Sequence, residues 1–400
     1  MKRLINIYSE VNSLKKVLLH RPGNEMLNLT PANYQELLYR DIPDLVLMQK
    51  EHDAYANFLR KEGVDVLYLT DLVVECLNSN PNVRNKFIKQ FIKEANIKIN
   101  DVSNQVYNLL NSIKDNRKLI NKCIEGIRSN EIVFNNKFYN IGEVKDLVVE
   151  PMVNLCFIGD LASGIGNGVS LNKMASMNRF RESIFLDYIF KYHPKYKNVN
   201  LYFNRYESNY LEGGDFWVLN DEVLCVGVSE RTDVLAIATI AKKVLNDGHF
   251  KYVLAIDSKN YRFEHLDTVM SMVDYDKFLV YNEFIKDASF YELTLYNGDL
   301  VINEFYMPFD KVLAKYLHLE KVTLIKSDNI DLIDAKREQW QGGFNVFGLM
   351  PGVVLAYKHN QMTNKLLKEH GIKVIEVLGN NLLKGSGGPR SLAVSLIREK

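Results

Sequence analysis

Apolar positions along the 400 residues change their period from one region to the next. From Leu14 to Leu19 a short aliphatic run, interrupted by Lys15 and Lys16, ends at Arg21-Pro22-Gly23, which predicts a strand leaving into a loop. From Leu45 through Met48, His52, Tyr55 and Leu59, apolar or semi-apolar residues recur at three- and four-residue steps as far as Gly63, before Val64-Asp65-Val66-Leu67-Tyr68-Leu69. That order predicts a helix, its C-terminal glycine and a strand. Between about residues 74 and 146 the stripes become helical throughout: Val83, Phe87, Phe91 and Ala95, then Val106, Leu109, Leu110 and Ile113, then Leu119, Ile120, Cys123 and Ile127. The periods predict a helical insertion over 74–146 in an α/β domain built from 1–73 and 147–400.

After Pro151 strand and helix signals alternate again. Strands are expected near Leu201 to Phe203, Asp215 to Leu219, Val223 to Val228, Val253 to Ile256, Leu279 to Tyr281, Thr323 to Ile325 and Val353 to Tyr357, with helices near 231–247 and 361–370. Repeated β, β, α, β units without a Gly-rich dinucleotide fingerprint speak against a Rossmann fold, and the pattern by itself leaves the alternative topology open.

Composition narrows the function classes. With 50 basic and 49 acidic side chains the formal charge is +1, so bulk electrostatics ask for neither nucleic acid nor an anionic membrane surface. Cys76, Cys123, Cys156 and Cys225 lie far apart without metal-ligand spacing, which argues against a zinc site or a disulfide framework and makes a reducing cytoplasm the expected home. Met1 to Asn6 lacks a hydrophobic signal core, and no run of about 18 apolar residues occurs, so a soluble, non-exported protein is expected.

Three distant stretches carry candidate chemistry: Leu211-Glu212-Gly213-Gly214-Asp215, Glu264-His265-Leu266-Asp267-Thr268 and Gly387-Gly388-Pro389-Arg390-Ser391. A carboxylate beside two glycines can approach a cationic ligand closely, against the plainer reading of a tight turn with exposed acids. If extended, His265 and Asp267 point to one side and can serve one ligand, although a lone His-x-Asp is more often structural. Asp160, in Asn154-Leu155-Cys156-Phe157-Ile158-Gly159-Asp160, can pair with a guanidinium or merely cap a turn. Arg179, Arg181 and Arg231 can receive an amino acid's carboxylate, or be solvated surface groups.

In order and local wording the chain resembles the arginine deiminases, and closely the mycoplasma-type members. The resemblance is carried by His20-Arg21-Pro22-Gly23-Asn24-Glu25, Glu51-His52-Asp53, Asn167-Gly168-Val169-Ser170, Glu212-Gly213-Gly214-Asp215, Ser229-Glu230-Arg231-Thr232, His265-Leu266-Asp267-Thr268, Asp274-Tyr275-Asp276-Lys277-Phe278 and Pro351-Gly352-Val353-Val354. It implies a five-bladed α/β propeller of ββαβ units, the pentein fold, with a helical insertion. It also implies that Asp160 and Asp267 grip a guanidinium, that His265 is general acid and base, and that Glu212 supports proton transfer. Asn154, Arg179 and Arg231 would hold the substrate's α-carboxylate, and Phe157 would wall the guanidinium. The family's reaction turns L-arginine and water into L-citrulline and ammonium through attack by a C-terminal cysteine, with no metal or organic cofactor. A homodimer or larger assembly is implied as well, with neither nucleic acid nor membrane as partner.

The cysteine's place is held by Ser391. A serine alkoxide is scarcely populated near neutral pH without a dedicated base, whereas a cysteine beside cations is largely thiolate. The family's Cys-Met-(Ser/Thr)-(Met/Cys)-Pro ending reads here Ser391-Leu392-Ala393-Val394-Ser395, and its Phe-Thr-Arg-Asp-Pro loop reads Phe157-Ile158-Gly159-Asp160-Leu161, linked departures that favour natural drift over a single engineered change. Weak or absent turnover is therefore expected. The alternatives are a non-catalytic arginine-binding protein, or partner of an active paralogue, and a different guanidino-group enzyme. Agmatine, lacking a carboxylate, would leave Arg179 and Arg231 without a role. Cys156 is the one other thiol close in sequence to the candidate site.

Overall fold

The alternation after Pro151 resolves into one motif used five times. In the computed structural model, which describes residues 3–133 and 146–400, each unit is an antiparallel hairpin, a helix, and a third strand parallel to the hairpin's second strand. Ala162–Ile165 and Gly168–Leu171 form one hairpin, followed by helix Ile184–Tyr192 and strand Asn200–Phe203. Phe216–Val218, Val223–Gly227, helix Val234–Asn246 and Tyr252–Ser258 repeat the arrangement. Met270–Asp274 and Lys277–Val280, with helix Phe309–Leu317 and Thr323–Lys326, form a third unit, and Phe347–Met350, Val353–Tyr357, helix Gln361–Glu369 and Lys373–Val377 a fourth. The fifth joins the two ends of the chain. Ala393–Glu399 pairs antiparallel with Ser13–Leu19, and after helix Leu45–Lys61 the strand Asp65–Tyr68 lies parallel to Ser13–Leu19. This is the five-bladed α/β propeller that the resemblance implies.

The physical logic is the same in every blade. A parallel return strand needs a long crossover, and an amphipathic helix supplies one while covering the sheet. Helix Val234–Asn246 shows it: Asp233 caps the first turn by accepting from Leu235 N, and Ala236, Ile237, Ile240, Ala241 and Val244 form the buried stripe. Full burial of each large aliphatic side chain in such a stripe contributes roughly 1.5–3 kcal/mol. One blade carries an addition, the hairpin Ala288–Tyr296 and Asp299–Phe305, which extends the neighbouring sheet by pairing with Tyr252–Ser258.

The helical region comprises Leu69–Ser79, Pro81–Glu94, Asn100–Ser112 and Asn116–Glu125. Phe87 packs edge-on against Tyr188, which ties this region to the adjoining blade. The third expected stripe stops before Ile127, because Gly126 takes a φ of +87° and Ile127–Arg128 pairs as a short strand with Leu147–Val149. Part of the expected insertion, 134–145, lies outside the described residues. The expected strand from Asp215 starts at Phe216, since Gly213–Asp215 is a 3-10 turn. Among the described residues, no helix is long and apolar enough to cross a membrane.

Candidate active site

The chain enters each hairpin through a short turn, and these turns meet. Asp160 ends the turn Ile158–Asp160, Glu212 precedes Gly213–Asp215, and His265 precedes Leu266–Thr268, which contains Asp267. Asn345 stands two residues before Phe347–Met350, and Ser391 two before Ala393–Glu399. Their convergence is direct: Gly159 N donates to Ser391 O at 3.0 Å, and Asn345 Nδ2 donates to Ser391 Oγ at 3.3 Å. Asp160, His265 and Ser391 line one cavity of about 30 Å3, together with Asn154, Phe157, Arg179, Arg231 and Glu264. Leu38 and the loop 385–387 complete its lining.

The glycines in these turns serve protein packing. Close approach by a ligand was the expected use of Gly213 and Gly214; instead a side chain at Gly213 would collide with the Gly159 carbonyl, and one at Gly214 with the His265 ring. Gly385 and Gly387 lie against the Phe157 ring, and Gly388 against Asn345. The acids of the Glu212 turn are both fully buried, so the plainer expectation of an exposed turn does not hold. His265 is extended with φ of −141°, but Leu266–Thr268 turns, so His265 and Asp267 are not two residues of a strand sharing one side.

The electrostatics are those of a buried ion-pair network. His265 Nε2 lies 2.8 Å from Glu212 Oε2, and its Nδ1 lies 3.9 Å from Asp160 Oδ1. Burial alone would lower the imidazole, but Asp160, Glu212 and Asp215 outweigh it and raise His265 to about 10. Burial would raise Glu212, yet His265, Arg179 and Arg231 overcome that and hold it below the ordinary carboxylate value. The pair is therefore imidazolium and carboxylate at neutral pH. Arg179 reaches Asp160 Oδ2 at 2.7 Å and Glu182 Oε2 at 2.9 Å, and donates to the carbonyls of Asn154 and Phe157. Asp267 Oδ2 meets Arg390 Nη1 at 3.1 Å, and burial still raises that carboxyl to about 6.

Asp160 Oδ1 and Asp267 Oδ1 are both buried without a hydrogen-bond partner among the described residues. Each aspartate thus has one oxygen held by an arginine and one uncommitted, an acceptor arrangement suited to N–H donors. Asp160 lines the cavity, while Asp267 lies outside its lining, near enough to Asp160 and His265 to feel their charges.

Most residues named from the sequence fall in or beside this cavity, with particulars that the sequence did not carry. Arg179 is buried and committed to Asp160 and Glu182, whereas Arg231 is partly exposed, 2.7 Å from Glu264. Arg181 donates to the Glu150 carbonyl and stays outside. Asn154 Nδ2 donates to Leu37 O, beside the lining residue Leu38. Cys156 is fully buried against Tyr39 and the Val153 carbonyl, with burial pushing its thiol up, and does not line the cavity. The structure adds Glu182, Glu264, Asn345 and Arg390. The available signals were Glu182 three residues after Arg179 and Arg390 directly before Ser391; Asn345 had no local signal beyond following Gly342-Gly343. Arg390 also stacks on Trp217 at 4.2 Å, crossing between blades.

Asp160, Glu212 and His265 bring ligand atoms within 4.8 Å of one another, a spacing open to a metal ion. Arg179 and the protonated His265 already neutralise these carboxylates, so the set matches an organic cation better than a bare divalent one. A larger cleft of about 410 Å3 lies beside His20 and Tyr68, but its arginines are paired off, Arg21 with Asp53 and Arg117 with Asp71.

Comparison with known proteins places the chain in a family. The family model described as arginine deiminase matches residues 35–398. An arginine deiminase of Treponema denticola is 43% identical over 405 residues, covering 99% of both chains. One from Streptococcus pneumoniae serotype 19F is 42% identical over 409 residues, covering 99% of this chain and 98% of its own. Among solved structures, the amidinotransferase SxtG of Microseira wollei aligns over 99% of this chain and 98% of its own, with TM-score 0.57 and 14% identity, a likeness of fold.

Proposed function

Since the chain belongs to the arginine deiminase family, we propose that its central cavity binds the guanidinium group of L-arginine, and that Ser391 leaves hydrolysis to L-citrulline and ammonium slow or absent. The observation that carries the binding half is the pair of buried aspartates, each with one oxygen held by an arginine and the other uncommitted. A guanidinium offers N–H donors in a planar fork; the uncommitted oxygen of Asp160 in the cavity lining accepts them, and that of Asp267, just outside the lining, does so once the cavity widens around the ligand. Arg231, Arg179 and Asn154 take the α-carboxylate, and Phe157 forms the wall. The cavity of about 30 Å3 has room for a water or two, so entry requires the lining at Leu38 and 385–387 to move aside.

The turnover half rests on His265. In the family's reaction a thiolate attacks the guanidinium carbon, ammonia leaves with a proton from an acid, and water then releases citrulline. An imidazolium supplies that proton and keeps a nearby thiol ionised. It cannot remove the proton of a serine hydroxyl. The hydrogen bond at Ser391 Oγ comes from the Asn345 amide, a donor rather than a base. Loss of a nucleophile costs on the order of 10⁶ in turnover in another hydrolase, which sets the expected scale. The helices within 74–146 are on this reading an insertion that flanks the propeller.

Calorimetry with L-arginine tests the binding half. Asp160→Asn is expected to weaken binding by about tenfold or more, the worth of one charge-assisted hydrogen bond. No binding to the unaltered protein at millimolar ligand would defeat the arginine reading.

A further inference from the structure

The charged groups lining the cavity are graded in exposure. Side-chain exposure is 5% for Arg179, 6% for Asp160 and 8% for His265, then 15% for Arg231 and 39% for Glu264. The acids and imidazolium that suit a guanidinium are the buried members of the lining, and an arginine–glutamate pair, Nη2 to Oε1 at 2.7 Å, is its more exposed part. Arg231 is also 3.9 Å from Glu212, so it faces a second carboxylate inward. Arg40, stacked on Trp340 at 3.6 Å, also lies within the field of Glu264.

We propose that Glu264 is a specificity-determining residue: it receives the α-ammonium of the ligand while Arg231 receives the α-carboxylate, so the site selects a free α-amino acid over every analogue that lacks either charge. This rests on the reading of the cavity as an arginine site. A carboxylate arriving at Arg231 comes into the field of Glu264, and like charges at contact repel strongly where water is partly excluded. An ammonium one carbon away from that carboxylate removes the conflict. The Arg231–Glu264 ion pair then opens into two cross pairs with a zwitterion, each charge meeting its opposite. A cationic head group alone leaves Arg231 repelled, and an anionic one alone leaves Glu264 repelled. Discrimination arises from the mismatched charge as much as from the matched one.

The test is calorimetric titration of the intact protein and of Glu264→Gln with L-arginine, agmatine, 5-guanidinopentanoate and Nα-acetyl-L-arginine. Glu264 is exposed enough that the glutamine variant retains the fold, which a thermal melt verifies. The unaltered protein is expected to prefer L-arginine by about tenfold or more over each analogue, the low end for a charged contact partly open to solvent. Glu264→Gln is expected to weaken L-arginine about tenfold and to strengthen 5-guanidinopentanoate, movements in opposite directions that a merely structural role for Glu264 does not produce. Equal shifts for all four ligands, or an unchanged ranking, overturn the proposal. Failure of the unaltered protein to bind any of them defeats the arginine-site reading itself.

Discussion

His265 Nε2 lies 2.8 Å from Glu212 Oε2, joining blade-entry turns whose residues are 53 positions apart in the chain. The bond is an ion pair, because the surrounding carboxylates raise His265 and the surrounding cations lower Glu212. A site whose histidine is already protonated suits a nucleophile that arrives ionised. Ser391 does not meet that condition, and the hydroxyl is mismatched to the charged groups around it.

Restoring the thiol is the most direct consequence. Ser391→Cys is expected to raise citrulline formation from L-arginine by several orders of magnitude, up to the roughly 10⁶ scale set by loss of a nucleophile. Ser391 lines the cavity beside His265, and the two side chains differ by a single atom, so the thiol fits where the hydroxyl sits. Citrulline release measured for both proteins decides it. Equal and substantial rates would mean that a hydroxyl suffices, and the assignment of His265 as an imidazolium would fall; two inactive proteins would mean that the departures at Ile158-Gly159 and Leu392 to Ser395 have disturbed the geometry as well.

Titration of His265 carries a stability signature. Its folded value near 10 lies above the ordinary 6.5, so folding gains from its protonation at every pH below about 6.5, and that gain is lost as pH climbs through 10. Melting temperatures of the parent and of His265→Gln should therefore converge between pH 7 and 10. A constant gap over that range would contradict the ion pair.

Arginine affinity should fall on the acid side. Asp267 titrates near 6 because burial outweighs the help of Arg390 and His265, and it must be ionised to accept from a guanidinium. Below pH 6 the proton competes with the ligand, about tenfold in affinity per pH unit for a single group. Calorimetry from pH 5 to 8 should show this slope, and Asp267→Asn should flatten it while weakening binding throughout. A parent profile without acid dependence would remove Asp267 from the site.

The loop bearing Ser391 is held from one helix face. Glu51 accepts from Asn381 N at 2.9 Å and Leu382 N at 3.0 Å, and Tyr55, one turn later, donates to the Pro389 carbonyl at 3.0 Å. Tyr55 is fully buried, so Tyr55→Phe leaves that carbonyl unsatisfied at a cost of about 1–3 kcal/mol. Hydrogen exchange of residues 382–391 should accelerate in Tyr55→Phe, with remote helices such as Val234–Asn246 unchanged. Uniform exchange across the molecule would refute the local clamp.

Much of the fold was legible in the sequence, because it is written in neighbour relations. The helix from Leu45, the strand Val353–Tyr357 and the helices near 234 and 361 follow from periodicity and caps over a dozen residues. The strands that escaped, such as Ala162–Ile165 and Ala393–Glu399, are short and depend on partners elsewhere, Ala393–Glu399 on Ser13–Leu19 at the opposite end of the chain.

The sequence by itself determined which residue types are present: two aspartates, a glutamate and a histidine in motifs of a known family, and a hydroxyl where that family has a thiol. Only the tertiary structure decided what those groups do to one another. Arg179 could be read as a surface residue or a ligand contact until Asp160 and Glu182 were found on it, and Asn345 had no identity until its amide met Ser391. The reason is physical. A side chain's period and cap depend on residues a few positions away, but its charge state and partners depend on desolvation and on groups brought from distant turns by closure of the propeller. His265 is an imidazolium because other segments of the chain placed the carboxylates of Asp160, Glu212 and Asp215 around it.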